Sequence, residues 1–141
     1  MSKKSPKIVA LLAAHPGDPR HSPHYTGYFH CFNLRLYYEA HDVLEELWLV
    51  DRKAPDGNFF KGLIQLAGAY VHLQKNRLKP ASNLFRLAET NLAAYPPVHY
   101  DLDLAAILAL CRAMIATLAA SAWTVNPWSP EAAPFLRLNP A

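Results

Sequence analysis

The chain is short of charge, of glycine and of cysteine, and each shortage narrows what it can be. Charged residues make up 18% of the 141 positions and hydrophobic ones 52%. That is leaner in charge than an average soluble surface, and points to surface covered by a partner or to long apolar segments packed on one another. A homo-oligomer, first of all a dimer, is therefore a candidate assembly. The formal net charge is only +3, and the basic residues are scattered: Lys3, Lys4 and Lys7 mark the start, and Lys75, Arg77 and Lys79 a helix junction. Neither group is interleaved with aromatic residues, which argues against a nucleic-acid interface. Two cysteines, Cys31 and Cys111, lie far apart without metal-ligand spacing. Each reads as a buried apolar residue of a reducing compartment, with a single bridge as the open alternative.

Missing motifs exclude further classes. No glycine-rich phosphate loop follows a strand pattern, so a nucleotide-binding fold has no support. The His-Glu-x-x-His arrangement of zinc hydrolases is absent, as are the paired Glu-x-x-His helices of a di-iron bundle. No stretch alternates strictly enough, or clusters β-branched residues densely enough, to read as a sheet strand. Leu104 to Ala122 is apolar, yet Arg112 near its centre and its many alanines make it a bundle helix rather than a membrane span. Ile8 to Ala14 is at the short limit of a signal-peptide core and runs into His15-Pro16-Gly17-Asp18-Pro19, so a cytoplasmic protein with no membrane association is expected.

What remains is helical. The expected fold is all-α, an antiparallel bundle of four principal helices with short connections and scope for a short additional helix near Ile8. The first helix is expected from Phe29 or Asn33 to Val50 or Arg52, with Asn33 able to cap a new segment and so mark a break. The second spans about Phe59 to Lys75. Gly62 and Gly68 inside it cost about 1 kcal/mol each against alanine, which a close helix crossing would explain. The third starts at Pro80 and runs through Tyr95 to the stop at Pro96-Pro97. The fourth is capped by Asp101, with Asp103 in its first turn, and extends to about Ala120. Residues 1–28 read as a weakly organised segment, 29–122 as the bundle domain, and 123–141 as a proline-rich tail packed on it through Phe135, Leu136 and Leu138.

The organising stretch is Tyr37 to Trp48, rich in helix formers. Phe32, Leu36, Ala40, Val43, Leu44 and Leu47 form one broad apolar stripe, with Arg35, Asp42 and Glu46 opposite. His41, Glu45 and Trp48, at spacings of four and three, share a face bordering the stripe. On the next helix Gln65 and His72 lie seven residues apart on one polar sector.

From Phe32 to Trp48 the sequence resembles domain of unknown function 309 (DUF309), a family of small helical bacterial and archaeal proteins. Its His-x-x-x-Glu-x-x-Trp/Tyr motif is matched by His41, Glu45 and Trp48, and Lys61 to Ala67 followed by His72 looks like its second block. The chain departs from the family at Arg35, where glycine is usual, and at Asp42, where glutamate is common. The resemblance implies metal binding as a suggested role of the motif. An imidazole and a carboxylate one turn apart can ligate one ion, and Gln65 and His72 would be the donors that complete a zinc, iron or manganese site. As a metal-dependent hydrolase the protein would use Glu45 as general base and His41 as ligand, with His72 stabilising a developing anion. Trp48, Tyr37 and Tyr38 are supporting candidates. The simpler reading is a structural or binding role: His41 bonded to Glu45 or across to Gln65, and Trp48 packed over them with its indole N–H satisfied. Function is otherwise unspecified by the sequence.

Overall fold

The computed structural model describes residues 5–14 and 17–140. Its elements run α1 (Ser5–Ala14), α2 (Pro23–Asn33), α3 (Tyr37–Trp48), α4 (Gly57–Gln74), α5 (Leu78–Leu92), β1 (Val98–His99), β2 (Leu102–Asp103) and α6 (Leu104–Ala120). The all-α class holds, with six helices among the described residues rather than four or five. The principal packing follows chain order, α2 on α3, α3 on α4, α4 on α5 and α5 on α6. No helix among the described residues is long and apolar enough to cross a membrane.

Several boundaries differ from expectation for identifiable reasons. The expected first helix is two, α2 and α3. The backbone turns at Arg35, whose φ is +63°, and Leu36 N–H closes back on the Cys31 carbonyl, the αL closure that ends many helices. Helix α2 reaches back to Pro23 because Ser22 accepts a hydrogen bond from the His24 N–H at 3.2 Å and Pro23 sits where a helix tolerates proline best. Asn33 therefore caps nothing; it clamps residue 136, donating to the Leu136 carbonyl at 2.7 Å and accepting from its N–H at 2.8 Å. Ile8 to Ala14 is part of a ten-residue helix. Asp103, not Asp101, caps α6 by accepting from the Ala106 N–H at 3.1 Å. Asp101 belongs to the tight turn between β1 and β2, a two-residue-strand hairpin too short to be read from alternation.

The core is aromatic at its centre. Tyr28, Phe32, Tyr37, Tyr70 and Phe85 are fully buried, and a chain of ring contacts runs Phe32–Tyr37 at 5.0 Å, Tyr37–Tyr70 at 5.1 Å and Tyr70–Phe85 at 5.3 Å. Such pairs contribute beyond the area they bury. Gly62 permits the crossing its sequence position calls for. A Cβ there would lie 2.7 Å from two Leu92 side-chain carbons of α5, and one at Gly68 would lie 3.1 Å from Leu84. Cys31 and Cys111 are buried and unbridged, and burial pushes their thiols up to about 11 and about 12.

Candidate functional site

Helix α3 is enclosed on more sides than its pattern suggests. Ala40, Val43 and Leu44 are completely buried, as the stripe requires, but Asp42, expected on the solvent side, is also buried. Helix α1 supplies the cover. Ile8 is buried, Leu12 reaches Gly27 beside Val43, and Lys7 Nζ meets Glu39 Oε1 at 3.0 Å. The Glu39 carboxylate, chiefly by this hydrogen bond, raises the Lys7 pKa, and Asp42 adds to the effect.

Around His41 the structure builds a compact group. The ring Nδ1 lies 3.1 Å from Asp42 Oδ1, and Nε2 lies 3.7 Å from Glu45 Oε2. One ligand atom from each of the three residues falls within 4.8 Å of the others. Asp42 thus takes the place beside His41 that the sequence reading gave to Gln65. Tyr38 lays its ring over the imidazole, centroids 6.2 Å apart and planes at 28°.

Beside this group, α3, α4 and α5 enclose an open groove of about 290 Å³. Tyr38 and His41 form one wall, Gln65, His72 and Lys75 come from the other, and Ile64, Val71 and Leu84 supply aliphatic surface with Gly68 between them. His41, Gln65 and His72 therefore meet on one concave surface, although not as a mutually bonded set. Gln65 accepts from Asn91 Nδ2 at 2.7 Å. The Nδ1 of His72 is buried without a hydrogen-bond partner among the described residues; burial, then the charges of Arg77 and Lys75, lowers that imidazole's pKa.

Two supporting candidates stand elsewhere. Tyr37 faces the core and accepts from Trp128 Nε1–H at 3.1 Å. Trp48 lines neither the groove nor the triad; its indole N–H, expected to be satisfied, is buried without a partner among the described residues, and the Arg52 guanidinium lies 5.8 Å above its ring. Sequence reasoning missed Asp42, because its burial comes from tertiary packing on a helix side that reads as polar, and Lys75 and Leu84, because no motif joins them to His41. The shared sector of Gln65 and His72 was the available signal for the second wall.

Fold and site together define a small all-α protein with a histidine-walled groove between consecutive helices. Residues 25–84, from α2 into α5, match the family model described as domain of unknown function (DUF309). The matched span contains the triad and every residue placed in the groove walls. Neither the curated proteins nor the solved structures gave a match. The match is thus to a domain of unknown function and carries no activity with it.

Proposed function

We propose that the protein serves a binding role, with the α3–α4–α5 groove as its ligand site and the His41 group as the polar wall. The observation that carries this reading is the convergence of Tyr38, His41, Gln65 and His72 on one concave, aliphatic-floored surface, the usual composition of a small-molecule site. A purely structural network would close on itself. Here Gln65 turns to Asn91, His41 to Asp42, and His72 keeps a buried nitrogen without a partner among the described residues. The test is a fragment screen read by amide NMR shifts on the full chain. Saturable shifts should centre on Gly68, Val71 and His72 and vanish in Val71→Phe, which fills the groove. Shifts scattered over the surface, or unchanged binding by that variant, would refute it.

A divalent ion is the second reading, favoured by the 4.8 Å grouping of His41, Asp42 and Glu45. One imidazole and two carboxylates suit zinc, iron or manganese in an open site. Gln65, its carbonyl oxygen held by Asn91, is a poor completing ligand. With Glu45 among the ligands, the same carboxylate is not available as general base, so a hydrolase gains no support. Stoichiometric metal in protein purified without an affinity tag, lost in His41→Ala, is the result this reading requires. For a homodimer, the solvent side of α6 is the face in keeping with the low charge: Arg112 is the helix's one charged residue and is already paired with Glu89. A single monomeric mass by analytical ultracentrifugation at high concentration would exclude it.

A further inference from the structure

We infer that the groove takes a small aliphatic carboxylate, its chain against Ile64, Val71 and Leu84 and its head group at the His72–Lys75 end. This rests on the groove being the ligand site, and adds the class of ligand. The His72–Lys75 end of the groove offers donors. Lys75 contributes an ammonium, and His72 carries at least one ring N–H in either protonation state. No acidic side chain lines the groove; the nearby carboxylates of Asp42 and Glu45 are drawn to His41 at 3.1 and 3.7 Å. The Lys75 ammonium next to the His72 ring, with no carboxylate among the lining residues to neutralise it, favours a negatively charged head group, and the charge strengthens each hydrogen bond.

The remaining surface sets the other end of the ligand. Ile64, Val71 and Leu84 give it aliphatic side chains beside the rings of Tyr38 and His41, against which a flexible methylene chain packs. The volume of about 290 Å³ lies at the lower limit of ligand sites, roughly 300–1,000 Å³, and limits the ligand to a short chain. Each methylene buried should tighten binding by about fourfold.

The experiment is calorimetry and amide NMR on the full chain with octanoate, octan-1-ol and octylammonium, below any micellar concentration, against wild type, Lys75→Gln and Val71→Phe. Lys75 is exposed, so its replacement leaves the fold intact. Octanoate should bind saturably with shifts at Gly68, Val71 and Lys75, octanol at least tenfold more weakly, and octylammonium not at all. Lys75→Gln should bring octanoate to the level of octanol, and Val71→Phe should remove both. Equal binding of octanoate and octanol, or octanoate binding unaffected by Lys75→Gln, overturns the carboxylate assignment and leaves the groove as a site. If none of the three probes binds, the assignment also falls, and the fragment screen decides separately whether the groove is a site.

Discussion

Replacing Arg35 with glycine should make the protein more stable, although arginine is the residue evolution has left there. Arg35 ends α2 at φ +63°, its N–H bonded to the Phe32 carbonyl at 2.9 Å and the next N–H, of Leu36, to Cys31 at 2.9 Å. That pair of bonds needs a left-handed residue, and the left-handed region costs a side chain with a Cβ about 1–2 kcal/mol. Glycine escapes this cost but loses about 0.5–1 kcal/mol through its freer unfolded chain. The net gain is about 0.5–1 kcal/mol, or about 2–4 °C in Tm for a chain of this size. The Arg35 side chain is exposed, and the hydrogen bond at this residue, from Gln74 Nε2 at 3.1 Å, is to its backbone carbonyl, which glycine retains. The fold supplies its own controls. Helices α4 and α6 close with the same two bonds around Asn76 (φ +56°) and Ala122 (φ +52°). Asparagine adopts this conformation with little penalty, so Asn76→Gly should be close to neutral, whereas Ala122→Gly should gain as Arg35→Gly does. Differential scanning calorimetry and guanidinium titration measure all three. A destabilised Arg35→Gly, or an Asn76→Gly gain equal to it, would refute the reasoning.

Gly62→Ala should destabilise despite its better helix propensity, by about 1–3 kcal/mol, because the new methyl would lie 2.7 Å from Leu92 at a packed crossing; denaturant unfolding reads the sign directly. Cys31 and Cys111, buried and with thiols raised to about 11 and about 12, should react with a thiol reagent only at the rate of local or global opening, and prompt modification of the native protein would contradict their placement. Hydrogen bonds from Arg20 hold the Asp18 carboxyl at about 2, below its unfolded value, so its contribution is complete above about pH 4 and is lost as pH falls through about 2. Asp18→Asn should therefore lower Tm at pH 5, and the gap to wild type should close towards pH 2; a gap independent of pH would argue that the pair contributes nothing through charge.

The helices were legible because their signals are local. The apolar repeat of α3, the two glycines of α4 and the stop at Pro96-Pro97 each act within a few residues, and helix existence follows from them. The break at Arg35 was half legible: Asn33 offered a break near there, but nothing in an arginine announces a left-handed backbone. Asp103 outranked Asp101 as the cap because β1 and β2 fold back through a two-residue turn, with Tyr100 and Asp101 both at positive φ, and so small a hairpin leaves no alternation to read. The tail's hold on α2 through Asn33 spans more than a hundred residues and has no sequence signature at all.

At the site the same division holds, and it explains which expectation was displaced. The His41–Glu45 spacing is a property of one helix and could be read. What surrounds His41 is decided by two packing events, α4 setting its sector opposite α3 and α1 closing over the other flank through Leu12 at Gly27. The first was foreseeable from the polar sector of Gln65 and His72, and brought both to the groove. The second was not, since a Leu-rich decapeptide before a proline-rich loop gives no indication of where it docks. Asp42 is buried in the packed fold, and a buried carboxylate needs a partner, which His41 supplies at 3.1 Å. The imidazole is thus engaged from its own helix before Gln65 can reach it, and Gln65 turns to Asn91 instead. The groove lies between these helices, with Ile64, Val71 and Leu84 as its aliphatic surface and Gln65, His72 and Lys75 along the α4 side. Arg35 and Asp42 flank that arrangement, one at the turn from which α3 leaves α2 and the other bonded to the ring of His41.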